Sequence, residues 1–367
     1  MNLKHEDFTL ILALETDPFM PMTELATLLG ISRITVKKRV EDLKKRGIIR
    51  NPIALYSPKK LGLKRVSVRA SLSSISALHV LEQACDEHPY THYRTRLFGG
   101  GYGLFMQFDI PNGSMTLLKD FLDRLQTEQV IETYDMLEST GLQVEAFPDL
   151  SRFNPSSSSW DFSWKTWFNS LSQFPSSLPS LVESEPDYSG FTVSSFKILR
   201  LLTSNASLRQ VDIRKQLSLS RTEVSRLYNH AMDNYIDKIR FMYNREMFDL
   251  TETYIAFGNP VKLETAGQIY HAIEDNPPPF HLALDISKAA KIHLWANMST
   301  VQASEFAFSV WEALGNIQIY TLDTKSSALY WFYPDNFDFD EMRWRISRAY
   351  IVDDPLNRIW SELGTLN

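Results

Sequence analysis

The stretch Ile31-Ser32-Arg33-Ile34-Thr35-Val36-Lys37-Lys38-Arg39-Val40-Glu41-Asp42-Leu43-Lys44-Lys45-Arg46-Gly47-Ile48-Ile49-Arg50 decides how this chain is read. Ser32 stands where an N-cap belongs, because its hydroxyl can accept one of the amides left unpaired in a helix's first turn. Val36, Val40 and Leu43 then recur on one face, and Gly47 ends the helix. Arg33, Thr35, Lys37, Lys38 and part of Arg39 are left to project outward. A cationic helix of this kind suits the major groove of double-stranded DNA.

The residues upstream agree with that reading. Phe8, Ile11 and Leu14 stripe one helix, and Leu25, Leu28 and Leu29 stripe a short second helix that stops at Gly30. Three short helices with a tight glycine turn before the last follow the order of a helix-turn-helix. A solvated basic helix on an unrelated domain explains the charges but not this order.

Composition sets the outer limits. A chain of 367 residues has room for two to four domains. The single cysteine, Cys85, excludes an internal disulfide framework and a cysteine zinc cluster. No apolar run approaches the roughly 18 residues of a membrane span, and no signal-peptide pattern is present, so the cytosol is the expected location. The net charge of −6 is unevenly spread: +6 over residues 1–65, −7 over 66–150, −2 over 151–189, +4 over 190–250 and −7 over 251–367. Local basic footprints on an otherwise acidic chain fit a DNA-facing surface.

The second basic segment repeats the first at a displacement of 188 residues. Phe8 aligns with Phe196, Ile11 with Leu199, Leu14 with Leu202, Leu25 with Ile213 and Leu29 with Leu217. Ser32-Arg33 aligns with Ser220-Arg221, Val36 with Val224 and Ile48 with Ile236. The matched apolar period and the repeated cap indicate duplication. After the first unit, periodicity predicts strands at 66–72, 91–98, 103–110 and 130–137, with helices at 76–87 and 114–126. After the second it predicts strands at 253–257, 280–285, 291–297 and 317–322, with helices at 263–274 and 300–314, the last opened by a Ser299-x-x-Gln302 capping box. Both halves read β-α-β-β-α-β, the ferredoxin-like order.

The expected fold class is therefore α+β, with two winged helix-turn-helix units alternating with two ferredoxin-like domains. The expected boundaries are 1–64, 65–147, a linker at 148–190, 191–250, 251–335 and a C-terminal extension at 336–367. Prolines 148, 155, 175, 179 and 186 and a serine run at 156–159 mark the linker, yet Trp160, Trp164, Trp167, Phe168 and Leu171 lie at helical spacing within it. Those aromatics read either as a helix stapled to a sheet or as a docking surface for a partner.

At this point the chain resembles the leucine-responsive/asparagine-regulator (Lrp/AsnC) family of prokaryotic transcription regulators. The residues that carry the resemblance are Ser32, Val36, Arg39, Val40, Leu43, Gly47-Ile48-Ile49 and Pro58-Lys59-Lys60-Leu61-Gly62, within residues 1–72. Gly100-Gly101-Tyr102-Gly103 sits where the family often carries Gly-x-Tyr-Asp, with Gly103 in place of the acid, and the resemblance makes these four the candidate site for a small-molecule effector. The second half departs further: Leu227 replaces the family's Arg, Tyr235 its Gly, and Asp237 an apolar residue. The family pairs its regulatory domains sheet to sheet between subunits, so two copies in one chain imply an internal pseudo-dimer; association into a homo-oligomer stays open.

Other candidate chemistry has simpler accounts. The glycine run 99–103 lies between strands and opens no helix, so a hairpin turn explains it better than a phosphate loop. His88, His92, Tyr93 and Arg94 cluster at a strand. Siroheme decarboxylases share the family's architecture, but their wing signature Arg-Arg-Phe/Ile-Gly-Ala is here Arg50-Asn51-Pro52-Ile53-Ala54. No metal-ligand spacing, Ser-His-Asp order or dinucleotide fingerprint appears. The expectation is a protein that is not an enzyme, holds no cofactor and no metal, and regulates transcription. Its DNA contacts are expected from Ser32, Arg33, Thr35, Lys37, Lys38 and Arg39, and from Arg50, Lys59 and Lys60 beside the wing. The second unit adds Ser220, Arg221, Ser225 and Arg226, with Leu227 costing it one cation relative to the first. The alternatives are a protein-interaction module built on repurposed helix-turn-helix surfaces, and a siroheme-decarboxylase-like enzyme.

Overall fold

Ser32, Ser74, Ser163, Thr192 and Ser220 each accept a hydrogen bond from a first-turn amide, so five helices start where a capping hydroxyl fixes them. By contrast Ser299 makes no capping bond with its side chain, and the box expected there is not formed. The computed structural model describes residues 3–364 apart from 181–185, 187, 189, 259–260, 288–289, 316 and 331.

In chain order the first copy runs α1 (His5–Thr16), α2 (Met22–Leu29), α3 (Arg33–Lys45), β1 (Ile49–Tyr56), β2 (Leu63–Ser71), α4 (Ile75–Glu87), β3 (Thr91–Phe98), β4 (Gly103–Pro111), α5 (Met115–Thr127) and β5 (Thr133–Ala146). A short hairpin β6 (Phe153–Asn154) and β7 (Ser159–Trp160) and the helix α6 (Trp164–Asn169) follow. The second copy runs α7 (Val193–Ser204), α8 (Gln210–Leu217), α9 (Arg221–Asn234), β8 (Ile236–Tyr243), β9 (Glu252–Gly258), α10 (Leu263–Asp275), β10 (His281–Ser287), β11 (Ile292–Met298), α11 (Thr300–Leu314) and β12 (Ile317–Leu329). It closes with β13 (Phe337–Asp338), β14 (Arg343–Trp344) and α12 (Asp354–Gly364). The fold is α+β, as the sequence indicated.

The chain does not divide as a row of beads. One compact unit gathers Met1–Ser57, Pro148–Phe162 and Thr192–Thr251, and the other gathers Pro58–Phe147, Ser163–Phe191 and Glu252–Asn367. The first unit holds both helix-turn-helix copies. Residues 49–56 do not fold back as a wing of their own: β1 pairs antiparallel with β8 of the second copy, with Ile49 opposite Tyr243 and Ala54 opposite Ile239. A lone strand exposes unpaired amides along both edges, and pairing with its counterpart satisfies one edge of each.

The second unit is a closed eight-stranded barrel in the order β10-β11-β9-β12-β3-β4-β2-β5. Each ferredoxin-like sheet supplies four strands. The seams are β5 with β10, where Val144 lies opposite Leu284, and β3 with β12, where Leu97 lies opposite Leu322. Closure leaves no sheet edge. Leu97, Phe105 and Leu137 of the first copy meet Ile255, Phe257, Tyr320 and Leu322 of the second in one buried cluster inside it. The two sheets thus join along their edges, with this one cluster shared between them. This seam pairing draws β5 out to Ala146 and β12 out to Leu329, well past the strand ends predicted at 137 and 322.

The segments expected to be linker and extension are a third repeated element. At a displacement of 184 residues Phe153 corresponds to Phe337, Trp160 to Trp344 and Ser163 to Ser347, and the turn residues Ser158 and Met342 both have positive φ, 50° and 48°. In the first unit the Trp160 indole donates to the Phe248 carbonyl at 2.8 Å; in the barrel unit the Trp344 indole donates to the Leu61 carbonyl at 2.8 Å. Each copy's tail therefore clasps the other copy. Beyond the hairpins, α6 packs on α11, where Glu305 accepts from Ser163 Oγ at 2.7 Å and the Trp164 ring lies 4.9 Å from Phe306. In parallel, Arg348 donates to Asp120 of α5 at 2.5 Å, and α12 packs on α4. Of the residues expected at helical spacing, Trp164, Trp167, Phe168 and Leu171 belong to this staple and are buried, whereas Trp160 lies on the strand β7 and not on the helix.

Candidate nucleic-acid interface

The third helix, α3, is held at one end by a capping side chain and at the other by its own backbone. Ser32 Oγ accepts from the Thr35 amide at 3.1 Å and lies 2.8 Å from Thr35 Oγ1. At the other end Gly47, with φ +69°, lets its amide reach the Lys44 carbonyl and the Ile48 amide reach the Leu43 carbonyl at 2.9 Å, a Schellman close that a residue with a Cβ would strain. Val36, Val40 and Leu43 are buried. Arg33, Ile34, Thr35, Lys37 and Lys38 are exposed, and Lys37 sits 3.8 Å from Glu41 on the helix surface.

Arg39 departs from the expected outward cation. Its guanidinium donates to Asp7 Oδ1 of α1 at 2.6 Å and lies 3.9 Å from Glu6. Asp7 is buried, so the pair locks α3 against α1 from beneath. The second copy solves the same contact differently. Leu227, at the position of Arg39, is buried, and Ser195, at the position of Asp7, spends its hydroxyl and amide in a reciprocal capping box with Thr192. Leu227 is therefore a packing exchange for an ion pair and removes no surface cation. Tyr235, in the place of Gly47, is also core: it is buried and its hydroxyl meets His230 Nε2 at 3.0 Å.

Of the other residues expected at the interface, Arg50 is exposed on β1. On α9, Ser220 accepts from the Glu223 amide at 3.2 Å, Arg221 is exposed and Ser225 is half-buried. Lys59 and Lys60 lie on the turn Lys59–Leu61 of the barrel unit, not with the helices. Ser32, Arg33, Thr35, Lys37, Lys38 and Arg50 belong to one unit with Ser220, Arg221, Ser225 and Arg226.

Gly100, Gly101, Tyr102 and Gly103 form the β3–β4 turn. A Cβ on Gly103 would meet the Ala70 carbonyl oxygen at 1.9 Å, and one on Gly100 would meet Tyr320 Cε1 at 2.9 Å, so the glycines answer close backbone approach. Tyr102 points away and is 82% exposed.

The histidine cluster does not assemble. His88 lies among Phe108 and Phe121, ring centroids 5.0 and 4.6 Å away, and burial pushes it down to about 3. His92 faces the barrel interior 3.4 Å from Asp109, which accepts two bonds of 2.8 Å from Arg65; burial and then Arg65 push His92 down to about 4. Arg94 instead faces Glu82, Asp86 and Tyr330. What sequence reasoning missed is a polar group inside the barrel drawn from both copies. Asp285 accepts from Ser139 at 2.6 Å and from Gln143 at 3.1 Å, and burial pushes it up to about 6. Its cross-strand neighbour is His293, pushed down to about 3 by burial. No spacing along the chain brings residues 139 and 285 together; only the β5–β10 seam does.

Residues 7–50 match the family described as winged helix-turn-helix DNA-binding. The chain is 44% identical over 55 residues to the HTH-type transcriptional regulator LrpA of Pyrococcus abyssi (strain GE5 / Orsay), covering 15% of this chain and 39% of that protein. The match thus spans well under half of the relative's length. The resemblance of residues 1–72 to Lrp/AsnC regulators holds. Over its full length the chain has the fold of the siroheme decarboxylase NirDL, with TM-score 0.54, 15% identity and coverage of 98% of this chain and 99% of that one. NirDL in co-complex with an iron-uroporphyrin III analogue gives TM-score 0.53, 14% identity and coverage of 97% and 99%. This whole-chain match to an enzyme overturns the expectation that the protein is not an enzyme.

Proposed function

We propose that the chain is a cytoplasmic, sequence-specific DNA-binding transcription regulator of Lrp/AsnC type, in which the two copies act as an internal pseudo-dimer on double-stranded DNA. The observation that carries this reading is the outward face of α3: a capped helix whose exposed side bears Arg33, Lys37 and Lys38 while its other side is core. Arg33 and Thr35, in the first turn, are placed to approach base edges; Lys37, Lys38 and Arg50 meet phosphates. On α9, Arg221 and Arg226 offer the same chemistry to a second half-site.

The test is a gel shift at two salt concentrations with the full chain and the Lys37→Ala/Lys38→Ala double variant. Each phosphate left without its lysine lowers the slope of log K against log salt by about 0.9, so the double variant should lose close to 2. An unchanged slope refutes the assignment.

The whole-chain likeness to NirDL favours a second reading, an enzyme acting on an iron porphyrinoid. Its polar group would be Arg65, His92, Asp109, Asp285 and His293 in the barrel. Absorbance on mixing with iron-uroporphyrin III, with and without Asp285→Asn, tests it: an unshifted spectrum refutes this second reading and leaves the first untouched.

A further inference from the structure

Ile34 is the feature of α3 that cationic docking leaves unexplained. It is 70% exposed in the first turn of the helix. Successive residues of an α-helix turn by about 100°, so the core residues Val36, Val40 and Leu43 define one side, and Ile34 and Lys38 fall diametrically opposite. Arg33 and Thr35 fall on the two flanks. A large aliphatic side chain thus occupies the centre of the surface that would enter the groove, at the end of the helix where base edges are reached. The centre of a helix face pressed into the major groove meets bases, and the one apolar group that bases present there is the 5-methyl of thymine. At the same position α9 carries Thr222, also exposed, with one methyl and one hydroxyl.

We infer that Ile34 is a specificity-determining residue that packs on a thymine 5-methyl group in the half-site read by α3. This rests on the DNA-binding reading and deepens it: one half-site must carry thymine beneath the first turn of α3, flanked by the contacts of Arg33 and Lys37. The second half-site, facing Thr222, Arg226 and Asn229 in place of Ile34, Lys38 and Glu41, has a different sequence.

The experiment uses the full chain and duplexes that the protein itself selects from a random 20-bp library. Each thymine of a selected duplex is then replaced singly by deoxyuridine, which removes only the methyl. Burying one methyl group corresponds to roughly a fourfold change in affinity. The expected result is a loss of about that size at one or two thymines of a single half-site, absent at every other thymine. Ile34→Ala should bind the thymine and deoxyuridine duplexes equally, and Ile34→Thr should restore part of the discrimination. Because Ile34 is exposed and the cap and core of α3 are untouched, these variants report on contact and not on folding. Binding that is indifferent to every deoxyuridine, or an Ile34→Ala variant that keeps the full thymine preference, overturns the inference while leaving DNA binding intact. Failure to enrich any sequence overturns both.

Discussion

Replacing Arg39 separates a structural cation from a DNA-reading one. Its guanidinium side chain is 22% exposed and that of Asp7 only 5%, at 2.6 Å. Breaking a fully buried pair by removing one partner costs about 3–5 kcal/mol, because a charge is left uncompensated, whereas an exposed pair is worth about 0.2–1 kcal/mol. With one partner buried and the other partly wet, Arg39→Leu should cost about 2 kcal/mol. Asp7→Ser alone strands the cation, which can swing into water, and should cost less. The second copy supplies the compensated pair: Leu227 over Ser195. The double variant Asp7→Ser/Arg39→Leu should therefore recover at least half of the single loss. Two compact units make a single unfolding free energy ill-defined, so the measurement is hydrogen exchange of the α1 and α3 amides. Protection of both helices should fall together in Arg39→Leu, with the salt slope of DNA binding unchanged. A slope reduced by about 0.9 with unchanged protection would refute this reasoning, since Arg39 would then be leaving Asp7 to meet a phosphate.

Two further outcomes follow from the packing. Glu15, pushed up to about 8 by burial while its carboxyl oxygen accepts from the Leu150 amide at 3.1 Å, keeps a proton in the folded protein that the unfolded chain releases near 4.5. The stability of its unit should thus fall as pH rises from about 5 to 8, and Glu15→Gln should flatten that dependence in urea midpoints taken at several pH values; an equally steep variant rules out Glu15 as the source. Trp344→Phe, which keeps most of the ring and loses the 2.8 Å bond to the Leu61 carbonyl, should cost about 1 kcal/mol, whereas Trp344→Ala should cost about 3–5 kcal/mol and expose the 337–344 hairpin to limited proteolysis.

What could be read from the sequence was local. Serine caps, apolar stripes and glycine stops place α1–α3 and α7–α9, and the 188-residue displacement places the second set from the first. Strands β3 and β4 begin at the predicted residues, Thr91 and Gly103, because period-two alternation and flanking turns are encoded within a few residues. What escaped was long-range. The face of Arg39 was misjudged because its partner lies 32 residues away on another helix. The tail repeat was hidden because its displacement is 184 and not 188, and because the serine run of the first copy looks like linker; the recurring Phe…Trp…Ser spacing was the signal that could have found it. The polar group in the barrel depends on which strand edges meet, and edges carry no residue pattern of their own.

The places where the two copies differ follow from joining them in one chain. A dimer of identical subunits must present the same helix twice, so any change in the recognition surface appears in both half-sites at once. A tandem chain is free of that constraint. Here the contacts that hold the copies together are kept in kind: Trp160 and Trp344 each donate to the opposite copy's turn, and Glu305 and Asp120 each receive the start of a tail helix. The outward face of the third helix has instead changed at Ile34, Thr35, Lys37, Lys38 and Glu41, which are Thr222, Glu223, Ser225, Arg226 and Asn229 in the second copy. The cores beneath tolerate this because each copy closes the helix junction by its own means, an ion pair in one and an apolar contact in the other. Exchange of side chains on this surface, over a clasp retained in both copies, is what the proposed reading of two unlike half-sites requires.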